Sequence, residues 1–396
     1  MIIRHHYIDK IRPFYESDLI KVITGIRRCG KSVILSQIEE ELRAGGKAVL
    51  SLNFESIEYS SEIPDAGALV SYVRERIPHD RKLYVFLDEV QLVDGWNIAC
   101  RSLRLENTSL FITGSNSRLL SKEFTKELSG RYVSFCIRPF VYKEIAEYAR
   151  ELGKTYSISD YLTYGGFPKV IEQPDKASII QYLNDLNQTI VINDIQNRYG
   201  IRKSELFKRL VNYVLISNAG IFSASSIQHY LSSEKLNCSI NTVMKYLSYL
   251  EEAYVVRRVP QYSTRAKREL TFYVKLYDED VSFNTIRQRG NMPDLTHNME
   301  NIVFNELIYM GYEVSVFNKD NREIDFLAGK DQKEYLIQVA YSIADESTRK
   351  REFALFNVLD QSRKKIIITN DDFDFSTSTV QHLSLHRFFS MDHLDG

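Results

Sequence analysis

Eight residues with the spacing G-x-x-x-x-G-K-[ST] form a candidate phosphate-binding loop, Gly25-Ile26-Arg27-Arg28-Cys29-Gly30-Lys31-Ser32. They follow the apolar run 19–24, and a helical pattern begins at Val33, which we include in the predicted nucleotide-binding set. Two glycines let consecutive N–H groups turn toward phosphate oxygens, and the helix N-terminus adds partial positive charge. We expect Lys31 to reach the β- and γ-phosphates and the Ser32 hydroxyl to bind Mg²⁺. The pattern therefore predicts a nucleoside triphosphate site.

A second apolar run, 83–87, ends in the acidic pair Asp88-Glu89. An acidic residue at the tip of a parallel strand beside a phosphate loop can hold the water shell of Mg²⁺, and a neighbouring glutamate can polarise an attacking water. We therefore assign Asp88 to the metal and Glu89 to the general base. Such a pair alone could simply end a strand, but its combination with the loop favours the catalytic interpretation.

Two further positions could act on the γ-phosphate. The run 109–113 leads into a polar cluster, 113–117, at the sheet edge where ligands bind in open α/β folds. We predict Ser115 as a catalytic residue and Asn116 as a second choice, with a turn of helix-capping residues as the alternative. Arg131 follows a glycine turn and is a candidate arginine finger for a nucleotide on a neighbouring subunit. A surface arginine beside a strand is the equally weighted alternative.

The elements that would position these residues alternate between strand-like and helix-like runs. The strand candidates are 19–24, 48–54, 84–88, 109–113 and 132–137. Because strands that alternate with helices form parallel sheets, this order predicts a parallel sheet covered by helices on both faces.

Composition limits the remaining possibilities. The chain has 396 residues, of which 44% are hydrophobic, and this predicts two or three domains with sizeable cores. Its four cysteines are scattered, without metal-ligand spacing or a disulfide framework. With a formal net charge of −1, any nucleic-acid contact would need a local basic patch. No run is long and apolar enough to cross a membrane, and the first residues lack a signal-peptide layout, so we expect no membrane partner and a cytoplasmic location.

These motifs resemble the prokaryotic AAA-type P-loop ATPases that carry a C-terminal domain of restriction-endonuclease-like fold. The resemblance spans nearly the whole chain, and besides the phosphate loop it is carried by residues 87–91, 113–115, 128–131 and 161–168. It implies an α/β fold with an AAA-type core, a helical lid, a winged helix and an α+β nuclease-like domain. It also implies that Asn53 is a sensor restraining the catalytic glutamate, and that Pro168 in the lid contacts adenine. An ordinary interhelical turn is the alternative for Pro168.

On this basis we expect a core over 1–145, a lid over 146–203, a winged-helix-like domain over 204–265 and a nuclease-like domain over 266–396. Two amphipathic stripes and a strand-like run between 204 and 261 indicate the winged helix. A basic segment in and after that run could contact the phosphate backbone of DNA. Its residues are Arg257, Arg258, Arg265, Lys267 and Arg268. A winged helix that closes the lid, with its basic residues solvated, is the alternative.

The last domain contains a possible second catalytic centre. Restriction-endonuclease-like nucleases place an acidic residue on one strand and Glu-x-Lys on the next, so that two carboxylates hold Mg²⁺ and the lysine orients water. Asp325 occupies the first position, but the next strand offers Gln338-Val339-Ala340. Glutamine is a poorer ligand for a hard cation, and alanine supplies no charge. Glu300 and Glu306 could add a carboxylate but not a lysine. We therefore predict an inactive nuclease fold with Asp325 and Gln338 as vestiges.

Together these interpretations predict an ATPase that couples Mg-ATP binding and hydrolysis to conformational change of the lid and C-terminal domains. DNA is a candidate partner, and a finger arginine implies a homo-oligomer. Two alternatives stay open. One is a nucleotide-gated switch of the STAND type with little turnover, and the other is an active DNA nuclease, which Gln338 and Ala340 disfavour.

Overall fold

The computed structural model describes residues 2–114, 128–262, 274–319, 322–356 and 362–395. The chain divides into two units. The first unit is Met1–Pro139 with Glu252–Tyr254, and the second is Phe140–Glu251 with Val255–Gly396. Among the residues described, no helix combines the length and apolar character that a membrane span requires.

A five-stranded parallel sheet is the centre of the first unit, with the strand order β2-β3-β4-β1-β5. Its strands are β1 (Ile20–Thr24), β2 (Ala48–Asn53), β3 (Leu83–Asp88), β4 (Thr108–Thr113) and β5 (Tyr132–Cys136). β1 and β4 are buried along their whole length, and β3 is buried up to Asp88. Because the strands are parallel, the C-terminal ends of β1, β3 and β4 lie at one edge of the sheet. This edge is where open α/β sheets bind ligands.

Helices pack on the sheet of the first unit through apolar side chains. They are α1 (His5–Ile11), α2 (Lys31–Ala44), α3 (Ile57–Glu62), α4 (Ala66–Arg74) and α5 (Trp96–Leu103), with 3₁₀ turns at Arg12–Phe14 and Val90–Leu92. Leu69 and Val73 of α4 and Leu103 of α5 join one core cluster with Val85 of β3 and Leu110 of β4. This cluster fixes β3 and β4 side by side, and both strands end at the edge just described.

The second unit begins with helices that surround a glycine-containing turn. They are α6 (Tyr142–Glu151), α7 (Ile158–Tyr164), α8 (Lys169–Glu172), α9 (Lys176–Leu186), a π-helix (Asn187–Asp194) and α10 (Ile195–Tyr199). The turn Gly165-Gly166-Phe167-Pro168 separates α7 from α8. A Cβ on Gly165 would lie 1.8 Å from Asp280 Oδ1, and a Cβ on Gly166 would lie 2.0 Å from the Phe140 carbonyl oxygen. Glycine is therefore required at both positions.

Three helices and a small antiparallel sheet follow. The helices are α11 (Ser204–Ile216), α12 (Ala224–Ser233) and α13 (Ile240–Glu252), and the strands are β6 (Ile221–Phe222), β7 (Val256–Pro260) and β8 (Val274–Asp278). The sheet has the order β6-β8-β7 and both pairings are antiparallel. The predicted domain boundary at 265/266 falls within the connection from β7 to β8, so the two strands of this hairpin lie on opposite sides of it.

A mixed five-stranded sheet forms the last part of the chain, in the order β13-β12-β11-β10-β9. The strands are β9 (Glu313–Lys319), β10 (Arg322–Lys330), β11 (Lys333–Val339), β12 (Lys364–Thr369) and β13 (Gln381–Ser384). The helices are α14 (Ser282–Thr285), α15 (Leu295–Tyr309), α16 (Glu346–Ala354) and α17 (Leu385–Ser390), with a 3₁₀ turn at Arg289–Asn291. β9, β10 and β11 pair antiparallel, whereas β11, β12 and β13 pair parallel.

The predicted fold class is confirmed. The structure has the parallel sheet with flanking helices of an AAA-type P-loop core and a mixed α+β sheet near the C-terminus. The sequence interpretation does not include β6, β13 or the π-helix. β6 has two residues and β13 has four, too few for a clear alternation of apolar and polar residues.

Candidate nucleotide site

The candidate phosphate loop joins the end of β1 to the first residue of α2, which is Lys31. The backbone at Gly25 has a φ of 137°, and at Gly30 a φ of 99°. A Cβ on Gly25 would lie 2.0 Å from the carbonyl oxygen of Ile137, so only glycine fits there. The curled backbone and the open N-terminus of a helix of 14 residues are the features that a triphosphate needs.

The side chain of Lys31 packs against the backbone of this loop. This side chain is buried, and its ammonium donates hydrogen bonds to the carbonyl oxygens of Gly25 and Ile26 at 3.2 Å each. Both acceptors are neutral, whereas a phosphate oxygen would form a stronger, charge-assisted bond. The arrangement is suited to exchanging these two bonds for bonds to phosphate. Ser32 is exposed in the first turn of α2, and Val33 is half-buried.

The middle of the loop is held by its own side chains and by neighbouring backbone. Ile26 and Cys29 are fully buried, and the Cys29 thiol lies 3.3 Å from the Ile137 carbonyl oxygen. Arg27 forms an ion pair with Glu55 at 3.3 Å, and Arg28 has a positive φ of 70°. Positive φ is uncommon for a residue with a side chain, and such strain often occurs at ligand sites.

Asp88 and Glu89 are linked to β4 through one hydroxyl group. Thr113, the last residue of β4, is fully buried, and its Oγ1 donates a hydrogen bond to Asp88 Oδ1. The same oxygen accepts the backbone N–H of Glu89 at 3.0 Å. Glu89 has a φ of 52°, in the left-handed region, so this bond stabilises an unfavourable backbone conformation. Thr113 therefore positions both acidic residues.

Two amide side chains lie next to the acidic pair. Asn53 is paired in register with Asp88 across β2 and β3, and its Oδ1 accepts the backbone N–H of Glu55 at 2.9 Å. Gln91 Nε2 donates a hydrogen bond to the carboxylate of Glu89. The structure thus brings the predicted sensor Asn53 beside Asp88, while the side chain that holds Glu89 is Gln91.

The structure does not bring Arg131 to the phosphate loop of its own chain. Arg131 is exposed at the start of β5, whereas the phosphate loop follows the C-terminal end of the adjacent strand β1, so the two lie at opposite edges of the sheet. Pro168 is half-buried at the start of α8 in the second unit. Ser115 and Asn116 lie outside the described residues.

The predicted basic segment is only partly described. Arg257 and Arg258 lie on β7, and Arg258 forms two bonds of 2.6 Å to the carboxylate of Glu251 on α13. This pairing neutralises one of the charges that would attract phosphate. Arg265, Lys267 and Arg268 lie outside the described residues.

The second candidate centre contains a lysine that the sequence interpretation did not include. The buried ammonium of Lys275 on β8 contacts three carboxylates, those of Glu300 at 2.9 Å, Glu323 at 2.7 Å and Asp325 at 3.4 Å. The Tyr277 hydroxyl also donates to Glu300 at 2.7 Å. The four charged groups come from β8, α15 and β10. An ammonium thus lies among the carboxylates that a nuclease would use for its metal.

Burial and the neighbouring charges shift the pKa values of this cluster. Burial raises the pKa of Asp325 to about 8, and the nearby Glu300 carboxylate adds to the increase. Burial also raises the pKa of Glu300. Burial lowers the pKa of Lys275, but the three carboxylates outweigh this, so its pKa is raised overall.

Gln338 lies on β11, the strand paired with β10, and its Oε1 accepts the backbone N–H of Asp325 at 3.3 Å. Over the described ranges, no group of three or more His, Cys, Asp or Glu side chains is placed to hold a metal ion.

Two of the important side chains carry weak sequence signals. Thr113 is part of the predicted polar cluster, but its double role depends on the pairing of β4 with β3. Lys275 lies 50 residues before Asp325 in the chain. Its single positive charge between apolar residues 274 and 276 is a signal of a buried ion pair, because a buried lysine requires a partner.

Parts of the chain match known protein families, and nearly its whole length matches two relatives. Residues 17–146 match a family model described as AAA domain, while 155–287 and 296–388 match two models described as domains of unknown function (DUF8612 and DUF4143). An uncharacterized protein of Haemophilus influenzae is 36% identical over 384 residues, 93% of this chain and 93% of the relative. Uncharacterized protein MJ1544 of Methanocaldococcus jannaschii is 29% identical over 89% of this chain and 82% of its own length.

A solved structure supports the fold. The Walker-type ATPase Paby2304 of Pyrococcus abyssi superposes with a TM-score of 0.51 at 14% identity, over 72% of this chain and 96% of that structure. At this identity the similarity concerns the fold alone. With the phosphate loop, the parallel sheet and the long match to the Haemophilus influenzae protein, the chain belongs to a family of prokaryotic AAA-type P-loop ATPases with a C-terminal domain of unknown function.

Proposed function

We propose that this protein binds Mg-ATP in the loop Gly25–Ser32 and hydrolyses it. The observation that carries the proposal is the placement of Asp88 and Glu89 by the Thr113 hydroxyl at the sheet edge where the phosphate loop also begins. In the proposed reaction Lys31 neutralises charge on the β- and γ-phosphates, and Glu89 accepts a proton from the attacking water. Breaking its bond to Gln91 frees the Glu89 carboxylate for this step.

The residues present fit a magnesium ion. Ser32 offers a hydroxyl and Asp88 a carboxylate, and both are hard oxygen donors of the kind that Mg²⁺ prefers. When bound, the ion would neutralise charge that develops on the phosphates. Thr113 uses one oxygen of Asp88, which orients the carboxylate.

Several sequence predictions remain part of the proposal. Arg131 is assigned to the site of a neighbouring copy, since it lies at the opposite sheet edge from the loop of its own chain. Ser115 is proposed as a catalytic residue that holds the γ-phosphate or the attacking water. Asn53 and Asn116 are proposed sensors, Asn53 by restraining Glu89, and Pro168 is proposed to contact the nucleotide base. We retain the division into a core, a lid, a winged-helix-like part and a nuclease-like part, with ATP turnover driving their rearrangement.

ATP turnover tests this function. Wild-type protein should release phosphate from ATP only with Mg²⁺, Lys31→Ala should lose nucleotide binding, and Glu89→Gln should bind ATP but turn over about 10²–10⁴ times more slowly. Glu75→Gln, at an exposed position after α4, is the matched control and should hydrolyse ATP at the wild-type rate. A wild-type protein that binds no ATP would contradict the proposal.

A nucleotide-gated switch with little turnover is the second candidate. The hydrogen bond from Gln91 to Glu89 favours it, because this bond occupies the carboxylate that should activate water. A switch would bind ATP tightly, and neither Glu89→Gln nor Gln91→Ala would change its slow turnover. An ATPase would instead lose activity in Glu89→Gln, and Gln91→Ala would alter its rate.

We also propose that the C-terminal sheet is an inactive nuclease fold and that DNA is a candidate partner through Arg257 and the basic residues after it. The three carboxylates around Lys275 support the first point, because an ammonium already occupies their centre. Purified protein with Mg²⁺ should not cleave DNA. ATPase rates measured with DNA over a salt series test the second point, since stimulation through phosphate contacts must fall as salt rises.

A further inference from the structure

The guanidinium of Arg4 connects the phosphate loop to the last residues of the first unit. Its Nη1 nitrogen donates to the carbonyl oxygen of Cys29 at 3.1 Å and to that of Arg138 at 3.0 Å. Arg4 is only 2% exposed. A single buried nitrogen therefore joins the loop to a residue that lies 109 positions later in the chain (138 − 29).

The surroundings of Arg4 fix this connection. Its guanidinium lies 4.5 Å from the ring centre of Tyr7, and the Tyr7 hydroxyl accepts the backbone N–H of Arg138 at 3.2 Å. Both backbone groups of Arg138 are thus bound by residues of the N-terminal segment. Gln37 of α2 ties that segment to the helix after the loop, because its Nε2 donates to the Ile2 carbonyl oxygen at 2.7 Å and its Oε1 accepts the Arg4 N–H at 3.3 Å.

The neighbouring residue Ile137 contacts both ends of the loop. Its N–H donates to the Thr24 carbonyl oxygen at 2.8 Å, and its own carbonyl oxygen accepts the Cys29 thiol at 3.3 Å. The same oxygen leaves no space for a side chain at Gly25. Movement of the loop backbone must therefore displace residues 137 and 138 or break these contacts.

Only Pro139 separates Arg138 from Phe140, the first residue of the second unit. In that unit the Phe140 N–H donates to the Gly166 carbonyl oxygen at 2.8 Å, and the Phe140 carbonyl oxygen accepts the Tyr161 hydroxyl at 3.2 Å. Proline has a fixed φ, so one backbone torsion of this short connection cannot rotate.

We propose that Arg4 is a positioning residue that couples the nucleotide state of the phosphate loop to the turn Gly165–Pro168 through Arg138, Pro139 and Phe140. The proposal rests on the proposed function, because it requires ATP in the loop. When Lys31 leaves the carbonyl oxygens of Gly25 and Ile26 for phosphate, the loop backbone must adjust. Because Arg4 is hydrogen-bonded to both carbonyl oxygens, a shift of the Cys29 backbone displaces Arg138. Arg138 is joined to Phe140 through Pro139, so the backbone of Phe140 shifts as well.

Hydrogen exchange of the full-length protein, with and without a non-hydrolysable ATP analogue and Mg²⁺, tests this coupling. The reporters are the amides of Phe140 and Gly166, which donate to Gly166 O and to Asp280 Oδ2. In the wild type the analogue should change their exchange rates by about fivefold or more, the lower end of typical coupling energies. In Arg4→Lys this change should fall below about twofold, because the lysine side chain is one atom shorter and its ammonium does not reach the position of Nη1, which holds both carbonyl oxygens.

Two further variants make the test specific. Tyr7→Phe removes only the hydroxyl that holds the Arg138 N–H, and it should reduce the response without unfolding the protein. Arg12→Lys is the matched control, since Arg12 is exposed and pairs with Glu41 and Asp9, and it should respond like the wild type.

The outcomes separate the two proposals. Absence of ATP-analogue binding to the wild type would refute the proposed function. If the wild type and Arg4→Lys bind the analogue with similar affinity and show the same exchange response, the coupling role is refuted while ATP binding stands. An absent response in a wild type that binds the analogue refutes the coupling role as well.

Discussion

Replacing Thr113 by valine tests whether one hydroxyl positions the two acidic residues. Valine has nearly the same shape as threonine, but it cannot accept the Glu89 N–H or donate to Asp88. A hydrogen bond between neutral groups contributes about 0.5–1.5 kcal/mol, and one to a charged group about 1.5–3 kcal/mol. The variant should therefore lose roughly 2–4 kcal/mol of stability. The larger effect should be on turnover, because a displacement of about 1 Å in a catalytic group costs on the order of 10²-fold in rate.

Thr108 provides the matched control. It is also buried, it begins the same strand β4, and its hydroxyl donates to the Leu103 carbonyl oxygen at 2.7 Å. Thr108→Val removes one neutral bond at the opposite edge of the sheet, so it should cost about 1 kcal/mol and leave kcat within about twofold of the wild type. Thr113→Ser keeps the hydroxyl and should restore most of the turnover.

Steady-state ATP hydrolysis and chemical denaturation of the four proteins provide the measurements. The expected result is a kcat about 100-fold lower in Thr113→Val than in Thr108→Val, with a similar KM for ATP, because Lys31 and the loop are unchanged. Equal turnover in the two valine variants would contradict the positioning role of Thr113. It would mean that the acidic residues are placed by the sheet itself rather than by this hydroxyl.

Three other substitutions, two of them with a control variant, test further contacts. Gly25→Ala should abolish ATP binding, because its Cβ would lie 2.0 Å from a carbonyl oxygen. Gly46→Ala is the control, since Gly46 also has a positive φ, 70°, but open space around it. This control should bind ATP normally and lose only about 1 kcal/mol of stability in thermal unfolding. Burial raises the pKa of Asp280 from 3.8 to about 6, so between these pH values the folded protein binds a proton that the unfolded chain has released. The free energy of unfolding should therefore fall by about 3 kcal/mol as pH rises from about 4 to 6. Asp280→Asn should flatten this part of the unfolding-versus-pH curve, and Asp345→Asn, at an exposed helix cap, should not. Lys275→Met should destabilise the protein by about 3–5 kcal/mol in denaturant titrations, since buried carboxylates lose their cation, and a smaller loss would contradict the buried ion pair.

The sequence predicts the first unit well because its signals are local. The apolar runs that become β1 to β5 are short and alternate with helical patterns, which predicts both the strands and their parallel pairing. The sequence does not predict which backbone segments, distant in the chain, pack against each motif. Gly25 is required because Ile137 packs against it, and the two lie 112 positions apart (137 − 25). Arg4 likewise appears in the sequence as one more basic residue near the N-terminus.

The second unit is predicted less completely for a related reason. The run 190–192 is apolar and fits an ordinary helix, so nothing in its composition distinguishes the π-helix Asn187–Asp194. The nuclease motif involves only Asp325 and residues on the strand that follows it. Lys275 reaches that carboxylate from β8, which belongs to the small antiparallel sheet. A motif of neighbouring residues therefore cannot predict a side chain that comes from a different sheet, 50 residues earlier in the chain.

The contrast between the two buried lysines supports the choice of functional site. Lys31 donates to two neutral carbonyl oxygens, so its positive charge is available to an anion such as a triphosphate. Lys275 already lies among three carboxylates. A divalent cation entering that cluster would have to displace the buried ammonium. Because this displacement costs free energy, we expect the phosphate loop to bind Mg-ATP and the C-terminal cluster to remain an internal ion pair.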